Sequence, residues 1–143
     1  MVLINQASYQ EFLNIEAIGK KTLPIYYNRF HLFAISIDNS QIYVAKDNDE
    51  TVGFIVCNIF KNEDRIHIMS IGVEPEKQQK GYGTELINFI KNMEYNTVSL
   101  YVQTTNEKAV NFYKKNSFQV DKKLDGYYYT LEDKDAYYMI FNK

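Results

Sequence analysis

The sequence predicts a mixed α/β fold, and three observations lead there. Stretches that suit strands (Gln41–Ala45, Thr51–Phe60, Arg65–Val73) are interleaved with stretches of helical periodicity (Ser8–Lys20, Thr84–Met93). From Arg65 to Gln103 the order is strand, helix, strand, which implies a crossover and hence a parallel pair. Strands joined by short turns imply antiparallel neighbours as well. The expected sheet is therefore mixed, mostly antiparallel, with a central parallel strand pair and flanking helices. At 143 residues, with only Pro24 and Pro75 as prolines and six glycines, nothing reads as a linker, so residues 1–143 are expected to form a single domain.

Each element has a local reason. Ser8 and Glu11 are spaced as a capping box ahead of Phe12, Leu13, Ile15, Ala17 and Ile18, so a helix is expected over Ser8–Lys20. Pro24 opens a second helical segment reaching Ile37. Gln41–Ala45 and Thr51–Phe60 flank the turn residues Asp47-Asn48-Asp49-Glu50 and read as a hairpin. Arg65–Val73 puts Ile66 and Ile68 on one face, with His67, Met69 and Ile71 on the other. Thr84–Met93 carries a stripe of Leu86, Ile87, Phe89, Ile90 and Met93. Thr97–Gln103 is a strand, Asn106–Asn116 a helix, and Phe118–Lys122 and Ala136–Phe141 are strands. Val2-Leu3-Ile4 is the material available for a first strand.

Composition excludes several functions. With 45% hydrophobic and 24% charged residues the chain is an ordinary globular protein. Its 16 basic against 18 acidic residues give a net charge of -2, which argues against a nucleic-acid partner. Cys57 is the single cysteine, so no internal disulfide is possible, and with only His31 and His67 beside it no metal site is expected. The N-terminal residues lack the pattern of a signal peptide, and no apolar run approaches the ~18–20 residues that cross a bilayer. A cytoplasmic protein without membrane attachment is the expectation.

The most informative stretch is Ile71-Gly72-Val73-Glu74-Pro75-Glu76-Lys77-Gln78-Gln79-Lys80-Gly81-Tyr82-Gly83-Thr84, which ends a strand, turns and opens a helix. Two glycines one residue apart leave room against the main chain, and the first helical N–H groups have no internal partners. Such a loop suits a pyrophosphate. It is not a Walker A loop, because Thr84 follows Gly83 without an intervening Lys. Nor is it a dinucleotide fingerprint, since Leu86 stands where the third glycine belongs. By itself the stretch is equally compatible with a plain turn before a helix, and His67 in a buried strand with a core histidine.

Gln78-Gln79-Lys80-Gly81-Tyr82-Gly83 resembles the Gln/Arg-x-x-Gly-x-Gly/Ala signature of the GCN5-related N-acetyltransferases. Asn106-x-x-Ala109-x-x-Phe112-Tyr113 followed by Phe118 resembles that superfamily's second signature, with Ser117 in place of the usual glycine. Asn116 is expected to supply the left-handed helix cap in its stead. The resemblance implies the family's fold, in which the parallel pair splays around the cofactor. It implies acetyl-CoA as cofactor, CoA as product, and binding through Ile71, Val73, Gln78, Gln79, Lys80, Gly81, Tyr82, Gly83, Thr84, Asn106 and Tyr113.

A closer resemblance is to N-terminal protein acetyltransferases of the NatE catalytic-subunit type. It is carried by Arg65-Ile66-His67-Ile68-Met69-Ser70-Ile71-Gly72, by Leu100-Tyr101-Val102-Gln103-Thr104-Thr105-Asn106-Glu107 and by Leu23-Pro24-Ile25-Tyr26-Tyr27-Asn28. These imply transfer of acetyl to the α-amine of a protein or peptide N-terminus by direct attack. Leu23, Pro24, Ile25, Tyr27, Met69, Tyr127 and Tyr128 are then expected to meet the acceptor. The family's catalytic Tyr and His are exchanged here, as His67 and Tyr101. An α-ammonium has a pKa of about 7.7–8.0, so a base of His type suits its deprotonation. His67 is read as that base, Tyr101 as its orienting or water-holding partner, and Tyr113 as proton donor to the departing thiolate. N–H groups at the end of the His67 strand are expected to polarise the thioester carbonyl. Two other readings stay open: acetylation of a small amine, and a non-catalytic acyl-CoA-binding module. An auxiliary subunit or a homodimer is compatible with either enzyme reading.

Overall fold

The computed structural model describes residues 2–38 and 40–143. In chain order the elements are β1 (Val2–Gln6), α1 (Phe12–Thr22), α2 (Arg29–Ser36), β2 (Ser40–Asp47), β3 (Glu50–Phe60), β4 (Arg65–Val73), α3 (Tyr82–Lys91), β5 (Thr97–Gln103), α4 (Glu107–Lys115), β6 (Gln119–Leu124) and β7 (Ala136–Asn142). Hydrogen-bonded neighbours run β1-β2-β3-β4-β5-β7-β6. β1–β2, β2–β3, β5–β7 and β6–β7 are antiparallel, and β4–β5 is parallel from Arg65↔Thr97 to Ile68↔Leu100. The expected mixed sheet with a parallel pair is therefore present. Among the described residues no helix is long and apolar enough to cross a membrane.

The chain divides into two compact units, residues 1–59 with 69–93, and residues 60–68 with 94–143. In the first, Phe12, Ile15, Ile18, Leu32, Ile42, Val44, Phe54 and Val56 form the core. Each fully buried aliphatic side chain there contributes about 1.5–3 kcal/mol. The capping box forms as the spacing predicts: the Glu11 carboxylate accepts from the Ser8 N–H at 2.8 Å and from its hydroxyl at 3.1 Å. The first turn is a 3-10 turn, and α1 continues to Thr22, beyond the expected Lys20.

The second helix begins later than expected. Pro24–Tyr27 is irregular, and α2 starts at Arg29 because the Asn28 side chain accepts from the His31 N–H at 2.8 Å. Glu16 reinforces that start by accepting from the Arg29 backbone N–H and its Nε. Ile25 and Tyr26, which suggested a longer helix, are exposed at 52% and 36% and lie on no buried stripe. The β2–β3 hairpin closes through Asn48 and Asp49, both at positive φ, which is the chemistry of a two-residue turn. β3 and β4 approach so closely that a Cβ on Gly53 would stand 2.9 Å from the Gly72 carbonyl oxygen. The Glu74 N–H then donates to the Val52 carbonyl at 2.8 Å, fixing where the chain leaves the strand.

In the second unit, β5 lies between β4 and β7, and Val98, Ser99 and Leu100 are buried. β6 is an edge strand, exposed over most of its length and carrying Lys122 and Lys123, which discourage pairing with another chain. Asn106 caps α4 as expected, accepting from the Ala109 N–H at 3.2 Å. At the other end the expectation for Asn116 fails. Its φ is -92°, and Ser117 takes the left-handed conformation at φ 71°. The Phe118 N–H bonds to the Tyr113 carbonyl and the Ser117 N–H to the Lys114 carbonyl, both at 3.0 Å. This pattern requires the left-handed residue one position after the cap, and Asn116 instead donates its side-chain amide to the Phe112 carbonyl. Ser117→Gly is expected to stabilise the protein by about 1 kcal/mol by relieving that strain. The urea midpoint rises at constant m-value if so, and falls if Ser117 supplies a contact stronger than the strain.

Candidate active site

The glycine loop lies wholly in the first unit. From the end of β4 the chain makes a single turn over Pro75–Lys77, and Gln78 ties it back by donating to the Val73 carbonyl at 3.2 Å. Gln79 and Gly81 both have positive φ, at 61° and 92°, and a Cβ placed on Gly81 would meet no atom within 4 Å. The first helical bond of α3 runs from the Glu85 N–H to the Gly81 carbonyl at 2.9 Å. The N–H groups of Tyr82, Gly83 and Thr84 precede it and have no partner along the helix. Glu74 is paired with Lys21 at 2.9 Å, which offsets its charge near the loop. The Tyr82 hydroxyl donates to Asp47, so its ring is held on the hairpin side of the loop. Open space, oriented donors and the positive helix end fit a pyrophosphate.

Several residues expected to meet the acceptor also lie in this unit. Leu23, Tyr27 and Met69 pack against the core cluster, while Pro24 and Ile25 are exposed. Burial raises the Tyr27 hydroxyl above its ordinary pKa. Ile71 and Val73 are half-buried on the last part of β4.

In the second unit the rings of His67 and Tyr101 meet, 5.1 Å between centroids. Tyr101 stacks on Tyr127 at 4.4 Å and contacts Tyr138 at 5.1 Å, and Tyr127 meets Tyr128 edge-on at 4.9 Å. Four tyrosines and one histidine thus form a continuous aromatic cluster. Burial, with help from Tyr127 and Tyr101, pushes the Tyr128 hydroxyl up to about 12. Tyr113 is 8% exposed on α4, and burial raises its hydroxyl well above the ordinary tyrosine value.

Two residues around His67 were not assigned from sequence. His67 and Ser99 are register partners in the parallel ladder, and His67 Nδ1 lies 2.7 Å from Ser99 Oγ. Arg65, two residues along β4 and so on the same face, donates from Nη1 to that oxygen at 2.7 Å. The same Nη1 is 3.5 Å from His67 Nδ1. Arg65 is held in turn by Glu63 at 3.1 Å and lies over the Phe60 ring at 4.3 Å. Burial first, and the Arg65 charge second, push the His67 imidazole down to about 4. The period-two pattern of β4 and the Ser99–Tyr101 spacing on β5 were the available signals. Cys57 is buried, and burial raises its thiol far above the usual range, so it is no nucleophile.

Comparison with known proteins gives a consistent picture. The pattern of the acetyltransferase (GNAT) family matches residues 6–118. N-alpha-acetyltransferase 50 of Danio rerio is 27% identical over 131 residues, covering 86% of this chain and 77% of its own length. An N-alpha-acetyltransferase of Sulfolobus acidocaldarius is 32% identical over 152 residues, covering 95% and 89%. Arabidopsis thaliana Naa50, solved with the bisubstrate analogue CoA-Ac-MVNAL, superposes with a TM-score of 0.83 at 27% identity over 99% of both chains. Ard1 from Thermoplasma volcanium shares the fold with a TM-score of 0.85 at 23% identity, over 99% of this chain and 97% of its own.

The depressed His67 pKa has a consequence for stability. The unfolded chain protonates this histidine near pH 6.5, whereas the folded protein resists until about pH 4. Unfolding therefore takes up a proton in that window, so this contribution is complete above pH 6.5 and is lost as pH falls towards 4. Thermal melts are expected to show a falling Tm across that window, with a shallower slope in His67→Gln. Equal slopes would mean that His67 titrates as an ordinary exposed histidine.

Proposed function

The chain belongs to the acetyltransferase (GNAT) family and is an N-acetyltransferase, and from that membership we propose that it acetylates the α-amine of protein or peptide N-termini. The observation that carries this reading is near-full-length similarity to relatives named N-alpha-acetyltransferases, one at 32% identity over 95% of this chain. Acetyl-CoA supplies an acetyl group activated as a thioester. Residues 1–143 serve the reaction as one catalytic domain.

The first unit holds the pyrophosphate through the N–H groups of Tyr82, Gly83 and Thr84, with Gln78, Gln79, Lys80 and Gly81 shaping the loop and Lys80 adding positive charge. Backbone groups of Ile71 and Val73 continue this binding surface along β4. Leu23, Pro24, Ile25, Tyr27 and Met69 give the acceptor's first residues apolar surroundings, which suits Met or another apolar side chain at the terminus. The second unit brings His67 and Tyr101 as the polar groups that attend the reacting amine, with Tyr127 and Tyr128 beside them. Burial keeps the Tyr113 hydroxyl protonated and weakens it as an acid, so its role is to donate a hydrogen bond to the departing thiolate. Asn106 fixes the start of the helix that carries Tyr113.

An assay of free-thiol release from acetyl-CoA tests this with a panel of acceptors. Peptides beginning with Met and an apolar second residue are expected to be turned over, and the same peptides with a blocked α-amine are not. Turnover confined to small amines, or to internal lysines, would overturn the acceptor assignment. Binding of the coenzyme without turnover of any acceptor would leave a binding module in place of an enzyme of this specificity.

A further inference from the structure

The arrangement around His67 determines which way its hydrogen bonds run. Arginine only donates, so the Ser99 oxygen is an acceptor towards Arg65 Nη1 at 2.7 Å. The same guanidinium nitrogen stands 3.5 Å from His67 Nδ1, where a ring N–H would face another N–H. The second observation favours a lone pair on Nδ1, and the first leaves the Ser99 hydroxyl proton available to be donated to it across the 2.7 Å contact. A neutral imidazole with a lone pair on one nitrogen carries its hydrogen on the other. Among the described residues both hydrogen-bond contacts of the ring are at Nδ1, so Nε2 is left to a partner from outside the chain.

The group that imposes this is itself held by its neighbours. The Arg65 side chain is 17% exposed, its second nitrogen is taken by Glu63, and its plane lies over Phe60. Ser99 is fully buried and opposite His67 in the ladder. Besides Arg65 and Ser99, the groups near His67 are Glu63 through Arg65, and Tyr101 from β5, which brings Tyr127 and Tyr138 with it. No carboxylate contacts the imidazole among the described residues.

We propose that Arg65 and Ser99 are positioning residues that lock His67 in the tautomer with its proton on Nε2, so that His67 serves acyl transfer as a neutral hydrogen-bond donor and not as a base. This rests on the reading of His67 as a residue of the reacting centre and changes the role given to it. The proton stays on Nε2 throughout. The acceptor α-ammonium, with a pKa of about 7.7–8.0, then loses one proton to solvent before attack. As the N–C bond forms and the C–S bond breaks, the nitrogen sheds a second proton, which the departing thiolate takes up through solvent to leave as free thiol. A donor aimed at the oxygen where negative charge grows is the more useful function for such a group.

Three measurements test this. The imidazole nitrogens of the free protein, observed by 15N NMR at pH 7, are expected to show a protonated Nε2 and an unprotonated Nδ1, with a Ser99→Ala variant shifting the population towards the other tautomer. The opposite assignment in the native protein overturns the proposal without any activity measurement. In turnover, His67→Ala is expected to lose about 100-fold or more in kcat. His67→Gln, whose amide offers an N–H near Nε2 but no basicity, is expected to recover at least about ten-fold of that loss. Equal activity of the Gln and Ala variants means that His67 acts as a base. Near-native activity of the Ala variant removes His67 from the reaction altogether, which sinks the underlying reading and not merely the tautomer. The dependence of kcat/KM on pH is expected to follow the amine alone, and an inflection near pH 4 that the Gln variant lacks would contradict it.

Discussion

Three backbone N–H groups at the start of α3 have no partner along the helix, and the first unit is organised to leave them available. Gly53 and Gly72 let β3 and β4 approach until the carbonyl of one lies where a side chain of the other would begin. That contact, with the bond from the Glu74 N–H to the Val52 carbonyl, sets the exit from β4. Gln78 pulls the loop back, Gly81 turns it at φ 92°, and Asp47 draws the Tyr82 ring aside. Each is a separate local interaction, and together they hold the donors and the helix dipole in one orientation. Preorganisation of this kind avoids the ordering cost that a flexible loop would incur on binding a charged ligand.

The second unit follows a different logic, in which the strand ladder does the positioning. A parallel register that sets His67 opposite Ser99 brings two polar side chains together between the buried residues Ile66, Ile68, Val98 and Leu100 of the same strands. Burial would normally make such a pair costly, and Arg65 satisfies it by donating into the shared oxygen. The result is a histidine that remains neutral and has one free edge, next to a stack of tyrosines beside which burial pushes the Tyr128 hydroxyl up to about 12. The environment favours hydrogen-bond donors over bases. An acyl transfer to an amine that ionises near neutrality can proceed without a strong base.

Much of this was legible in the sequence where the cause is local. The capping box at Ser8 and Glu11 and the β4 and β5 boundaries depend on a few neighbouring residues and formed as read. The turn expected over Asp47–Glu50 narrows to Asn48 and Asp49, and the helix expected from Thr84 opens two residues earlier, at Tyr82. The misplacements have physical reasons. Ile25 and Tyr26 mimic a helical stripe but stay exposed, because Asn28 offers a better helix start. Asn116 tolerates a left-handed backbone better than Ser117, yet the hydrogen-bond pattern at the end of α4 places that conformation one residue later. The pairing of His67 and Tyr101 could be anticipated from adjacent strands. The clamp by Arg65 and Ser99 could not, since it depends on a register that only the folded sheet defines.

Acetyl transfer in this chain requires first that the α3 N-terminus bind the coenzyme's pyrophosphate. Calorimetric titration with CoA of the native protein and of a Gly81→Val, Gly83→Val double variant, with circular dichroism to confirm that the variant is folded, addresses it directly. Saturable binding to the native protein, weakened by about ten-fold or more in the folded variant, is the predicted result. Equal affinity for the two, or no binding heat with either, would contradict it.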